Sequence, residues 1–257
     1  FKGVIFVYNF RTDLALERTD LYKKINNVKG NIDGIISEEE EVSKTIKVTR
    51  VNVVNENGAK SIQKPIGTYT TIDVEKMRNI TEEEISKISN TMSEELKKLI
   101  NKHVGKTDEI LIVGLGNEYS TQEILKGIVD NIKPKLIIAI DSLASKSIDR
   151  ISSSVQLSDT GIIPGAGVGN RRRELSKETL GVPVIGVGIP TVVELATLVS
   201  DGIDIFIDTL QEKAESNDYL NKLKENDKYE EVKEALNVGE YNMIVTPKEI
   251  DDLIENM

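Results

Sequence analysis

The chain has 257 residues, no cysteine, a single histidine and a net charge of −10 from 33 basic and 43 acidic side chains. This composition excludes disulfides, thiolate nucleophiles, Cys-ligated metals and multi-histidine metal sites. It also argues against a broad phosphate-binding face, which needs concentrated positive charge; the one cationic run, Arg171–Arg173, reads as a solvated helix start.

No apolar run approaches the ~18 residues of a membrane span, and no signal peptide opens the chain, so a cytoplasmic protein without membrane or nucleic-acid partners is expected. The first residue is Phe1, so further residues are expected to precede it.

In chain order, residues 47–54 and 68–74 are rich in β-branched and aromatic side chains and read as strands of a small sheet, with Asn55–Gly58 as the turn between them. Thr81 and Glu84 form a capping box ahead of apolar positions Ile85, Ile88, Met92, Leu96, Leu99, Ile100 and Val104, spaced as on one helix face. His103 falls in that helix's last turn, where packing and the helix dipole suit it. From Glu109 strand and helix alternate: strand 109–115, helix 121–132, strand 135–140, helix 142–151 and strand 183–187 predict right-handed βαβ units. The strands are apolar on both faces, as a doubly covered parallel sheet requires. A helix is expected through Val192 to Val199, a charged segment over 211–238, and a last helix from Thr246, with Pro247 and Glu249 in its first turn.

The expected fold is α/β: a three-layer α/β/α sandwich with a mostly parallel central sheet over 79–257, plus a smaller β-rich region over 1–78.

If strands 109–115 and 135–140 are parallel neighbours, the Gly114-Leu-Gly116-Asn117 loop and Asp141 emerge together at their carboxyl ends, where open α/β sheets place their sites. A dinucleotide fingerprint fails because Tyr119 stands where the third glycine belongs, and Gly105-Lys-Thr107 runs from helix to strand, the wrong order for a P-loop. Asp141 ends an apolar strand. Burial would raise its pKa and suit it to acid-base work on water; equally, it could N-cap the helix over 142–151. Asp159, in Ser-Asp-Thr-Gly, reads as a turn former. Gly161, Gly165, Gly167 and Gly169 could turn amides toward a substrate or oxyanion, or allow close packing at a subunit contact. Ser142 and Lys146, four apart on the expected helix, are a generic spacing.

In combination, Gly114–Asn117, Ile140–Ser145, Gln156–Asn170, Leu180–Ile185, Gly188–Val193 and Met243–Ile250 resemble the spore germination protease family of endospore-forming bacteria, and Arg11–Glu17 resembles its N-terminal segment. The resemblance implies an endopeptidase of the spore core that degrades small acid-soluble spore proteins. It also implies a zymogen with a propeptide within 1–12, processed near Arg11, Thr12, Asp13 and Leu14, and a homotetramer. The family's fold is similar to that of hydrogenase maturation endopeptidases. It looks like an atypical aspartic protease without metal or cofactor, with Asp141 matching one of two catalytic aspartates.

Gly114, Gly116, Asn117, Glu118 and Asp159 are possible supporting residues. The family follows Gly-Leu-Gly-Asn with Thr-Pro-Asp-x-Leu-Gly-Pro and a long segment, whereas Asn117 here leads through Glu118 into the next helix. Either a mobile loop of the complete protein is missing from these residues, or the segment is deleted and Glu118 substitutes poorly for the second aspartate. A missing loop predicts a Cα spacing between Asn117 and Thr121 far beyond ~3.8 Å per residue; a similar junction is expected between Glu212 and Leu220. Two other readings stay open: a metal-assisted maturation peptidase, and an inactive binding or assembly protein.

Overall fold

The computed structural model describes residues 12–75, 81–115, 121–164, 173–195, 197–199, 202, 206 and 244–245. Helix α1 (Ala15–Ile25) leads into strands β1 (Ile35–Ser43) and β2 (Ile46–Val53), helix α2 (Glu56–Ile62), strand β3 (Gly67–Val74) and helix α3 (Glu82–Ile100). There follow β4 (Ile110–Gly114), α4 (Thr121–Ile132), β5 (Leu136–Ser145), a 3-10 turn (Ile148–Arg150), β6 (Ser154–Ser158), α5 (Lys177–Leu180), β7 (Val184–Glu194) and β8 (Ile244–Val245).

Local chemistry sets several of these boundaries. Thr81 and Glu84 close the expected capping box on α3, each accepting from the other's backbone amide. The stretch at Asn55, expected as a turn, starts a helix instead: the Asn55 side chain accepts from the Gly58 amide at 2.9 Å and makes Asn55 the N-cap of α2. His103 lies in a turn beyond α3 and is exposed, so it does not pack as expected.

All eight strands join one sheet in the order β1-β2-β3-β6-β7-β5-β4, with β8 on β7. Pairings from β1 through β7 are antiparallel, and only β7–β5 and β5–β4 are parallel. The α/β class holds, but the sheet is mixed rather than mostly parallel.

The cause is the stretch 142–151, where no crossover helix forms. Leu143, Ala144 and Ser145 are buried and continue β5, and the 3-10 turn then reverses the chain into β6, antiparallel to β7. Parallel neighbours need a long crossover; a short reversal yields an antiparallel one. Strand β7 likewise runs to Glu194, and helical residues begin only at Leu195. The expected charged segment and last helix fall outside the described residues.

Helices cover both faces. On one, α3 packs over Leu136, Ile138, Ile185, Val187 and Leu157. On the other, α4 and α5 pack on Ile137, Ala139, Leu143 and Val184, and the start of α1 with α2 packs on Val51, Val53 and Tyr69. Leu14 lies in the α4–α5 cluster and Leu16 in the α1–α2 cluster, so the N-terminal stretch bridges the two.

Candidate active-site cleft

On the α1–α4 face two cross-strand rows meet over a pair of glycines. Asp141 of β5 pairs with Gly188 of β7, which pairs with Gln156 of β6 and, through it, Thr71 of β3. The next row is Ala139, Gly186, Ser158 and Tyr69. Paired residues share a face, and the missing side chains of Gly186 and Gly188 let Leu143 and Gly161 close in between Asp141 and Gln156. A Cβ at Gly188 would meet the Leu143 side chain at 2.2 Å, and one at Gly186 the Gly161 carbonyl at 2.6 Å. Over Gly186 and Gly188 lies a cleft of about 110 Å³, with Asp13 and Lys64 on one rim and Gly161 and Glu174 on the other; Asp141 is not among the residues that line it.

The first rim is built from the N-terminal stretch. The Asp13 amide donates to the Ala144 carbonyl (2.9 Å), and the Ala144 amide donates to Asp13 Oδ2 (2.8 Å). The Asp13 carbonyl accepts from Lys64 Nζ (2.7 Å) and Gln156 Nε2 (3.1 Å), while Gln156 Oε1 accepts from the Ala15 amide (2.7 Å). Burial holds the Lys64 ammonium below the ordinary lysine range, with Asp13 opposing. Across the cleft, burial and then Glu178 push the Glu174 carboxyl up, against the pull of Lys64.

The second rim depends on Gly161. Its φ is +92°, and a Cβ there would stand 2.0 Å from the Leu175 carbonyl oxygen. This close approach lets Ile162 and Leu175 exchange backbone hydrogen bonds at 3.0 and 2.8 Å.

Asp141 is half-buried, inside β5 and not at a helix start, so the N-cap reading is overturned. Gly114 is in register with Ile140, and the Leu115 amide donates to the Ile140 carbonyl at 2.8 Å, so the end of β4 lies one residue from Asp141. Ser142 and Lys146 do not share a helix.

Asp159 stands at the far end of β6, where it accepts from the Thr68 amide (2.7 Å) and pairs with Lys102 (3.0 Å). Thr12 and Leu14 are buried in the core. Arg11, Gly116, Asn117, Glu118, Gly165, Gly167 and Gly169 lie outside the described residues, and so does the spacing from Asn117 to Thr121.

Lys64, Gln156 and Glu174 escaped the sequence reading. The row Gln156–Gly188–Asp141 exists only once β6 and β7 pair, and no local spacing announces it. The one legible cue was Gly186 and Gly188, alternate glycines in an otherwise apolar strand, which mark close approach or a hollow.

Asp141 thus lies at the carboxyl end of the parallel strands, the edge where open α/β sheets bind ligands. The family described as germination protease matches residues 13–123 and 118–221. Relatives include the germination proteases of Clostridium perfringens strain 13 (36% identical over 98% of this chain and 92% of the relative) and Caldanaerobacter subterraneus subsp. tengcongensis (37%, 99% and 92%). That of Bacillus mycoides is 30% identical over 97% of this chain and 90% of its own. The chain belongs to the germination protease family, and is a protease of spore germination by that membership.

Proposed function

We propose that the protein is an endopeptidase that begins the breakdown of small acid-soluble spore proteins, activating water with a pair of carboxylates that includes Asp141. The observation that supports this reading is the register of Asp141 with Gly188, which puts Asp141 on the strand next to the cleft floor and beside the end of β4. In a pair sharing one proton, the ionised member takes a proton from water as its oxygen attacks the scissile carbonyl carbon, and the neutral member hydrogen-bonds the carbonyl oxygen. Breakdown of the tetrahedral intermediate breaks the C–N bond and returns a proton to the leaving amine. The second carboxylate belongs to the connection after Asn117, either as Glu118 or on residues that the relatives carry there. Amides of the Gly161 to Gly169 loop orient the substrate strand or steady the oxyanion.

The enzyme is made as a zymogen and works as a homotetramer in the spore core. Its maturation cut falls before Thr12, because Thr12, Leu14 and Ala15 are buried and Asp13 and Ala15 are hydrogen-bonded to Ala144 and Gln156. Asp141→Asn leaves the urea midpoint unchanged and abolishes turnover of a small acid-soluble spore protein, while the parent's turnover survives chelation. Retained turnover in the variant refutes the role of Asp141, and chelator-sensitive turnover favours the metal-assisted reading. A second reading, an inactive assembly protein, is favoured by the lack of any aspartate between Asn117 and α4. A parent chain that is inactive while its own gene encodes nothing beyond Glu118, Tyr119 and Ser120 between Asn117 and Thr121 establishes that one.

A further inference from the structure

One backbone carbonyl at the cleft is held by two side chains from remote parts of the chain. The Asp13 oxygen accepts from Lys64 Nζ at 2.7 Å and from Gln156 Nε2 at 3.1 Å, donors that lie 51 and 143 residues further along. Each donor is aimed by its surroundings. The Ala15 amide donates to Gln156 Oε1 at 2.7 Å, so the acceptor end of that side chain is taken and its NH2 faces the Asp13 oxygen. Ala15 is buried in the α1–α2 cluster, which anchors this arrangement to the core. Lys64 Nζ has three N–H donors, and the Asp13 oxygen is its one hydrogen-bond acceptor among the described residues. Burial disfavours the charge on Lys64, and an acceptor that itself turns anionic offsets that cost.

The two donors stand over the floor next to Asp141. Gln156 is in register with Gly188, and Gly188 with Asp141, on one face of the sheet. Neighbouring strands lie about 4.8 Å apart, so the backbones of Asp141 and Gln156 are separated by about 10 Å, enough for a carbonyl group and a water between their side chains. Leu143 and Gly161 narrow that space, and the cleft above Gly188 keeps Lys64 and Gln156 on its lining.

We infer that Lys64 and Gln156 are catalytic donors to the scissile carbonyl of the substrate, and that the Asp13 carbonyl fills their site as an internal stand-in. This rests on the reading of Asp141 as a group that activates water. The water oxygen bonds to the carbonyl carbon as its proton passes to the carboxylate pair. The carbonyl π electrons move onto the oxygen, which Lys64 and Gln156 hold beside the neutral carboxyl. On collapse that oxygen re-forms the carbonyl, the C–N bond breaks and the amine leaves with the proton. With the proposed cut before Thr12, Asp13 is next to a free end and yields its place to the substrate.

The test uses Lys64→Met, Lys64→Arg and Gln156→Glu; the last keeps an oxygen for the Ala15 amide and removes the donor. Lys64→Met and Gln156→Glu each lower kcat on a small acid-soluble spore protein about 100-fold with little change in KM, and Lys64→Arg recovers much of the loss. A second measurement needs no turnover: calorimetry with a synthetic peptide of residues 9–17 that carries a phosphinate, a tetrahedral anion, in place of the Asp13 carbonyl. The parent chain binds it at least about tenfold more tightly than the unmodified peptide. Lys64→Met and Gln156→Glu abolish that preference, and Asp141→Asn keeps it. A rise in KM with kcat unchanged, or a phosphinate preference that survives both substitutions, overturns the role of Lys64 and Gln156 and leaves that of Asp141 standing. Turnover that survives Asp141→Asn, with the preference still dependent on Lys64 and Gln156, refutes Asp141 and leaves the two donors.

Discussion

Burial disfavours the charged forms of the two titratable groups that face each other over the cleft. Glu174 is raised by burial and by Glu178, and Lys64 is lowered by burial despite the Asp13 carboxylate. A carboxyl raised in the folded state binds its proton more tightly there than in the unfolded chain. Its favourable contribution is complete below the unfolded value of about 4.3 and is lost as pH rises through the folded value. Glu174→Gln, which is neutral at every pH, therefore raises the urea midpoint at pH 7. Below pH ~4 the difference from the parent disappears. A gain that persists unchanged in acid would mean that the substitution acts through packing rather than charge.

Glu17, another buried acidic side chain, is held by a dense set of hydrogen bonds. It accepts from Ser145 Oγ (2.9 Å), the Lys146 amide (2.7 Å), the Ser147 amide (3.1 Å) and the Thr12 hydroxyl, with Arg150 Nε at 3.4 Å. These bonds satisfy both carboxyl oxygens and fasten α1 to the end of β5.

That contact explains an element the sequence alone misplaces. Residues 142–151 carry helix-compatible spacing, but the amides of Lys146 and Ser147, which a helix would use internally, are taken by Glu17, more than a hundred residues away. Long-range competition of this kind leaves no local trace. By contrast, α3 and α4 are legible because their apolar positions repeat at three and four, and α4 spans the residues expected of it.

Strand β1 went unseen for a different reason. Its Glu38–Glu41 run has no apolar alternation, and its cross-strand partners supply the complement: Glu39 with Lys47 at 2.6 Å and Glu40 with Arg50 at 2.7 Å. Arg50 also donates to both oxygens of buried Glu95, tying α3 to β2. Helix α2, read as a turn, rests on the Asn55 cap and on Gly34, whose φ of +76° and missing Cβ let the Asn55 side chain approach. Asn55→Ala removes that cap and costs about 1 kcal/mol of stability by urea unfolding. An unchanged midpoint would place the helix's support elsewhere.

At the scale of the whole chain, the sequence suggests a β-rich region to residue 78 and an α/β unit after it, and the bonds that cross that boundary determine how the molecule unfolds. Strand β3 pairs with β6 over five registered residues, so the early strands belong to the same sheet as Asp141. Leu14 packs with α4 and α5, Asp13 bonds to Ala144, and Glu17 holds Ser145, Lys146 and Ser147. The cleft itself takes Tyr69 and Lys64 from one side of the boundary and Gly188 and Glu174 from the other. Neither part buries its apolar surface or completes the cleft without its counterpart, which is the condition for all-or-none unfolding. The chain has no tryptophan, so the fluorescence of a Tyr22→Trp reporter should follow residues 1–78, and far-ultraviolet dichroism mainly the longer helices, α3 among them. The two urea transitions should coincide, with one midpoint and one slope. Separate midpoints would show that residues 1–78 fold independently, and the sheet's continuity through β3 and β6 would then be a weak junction rather than the spine of the molecule.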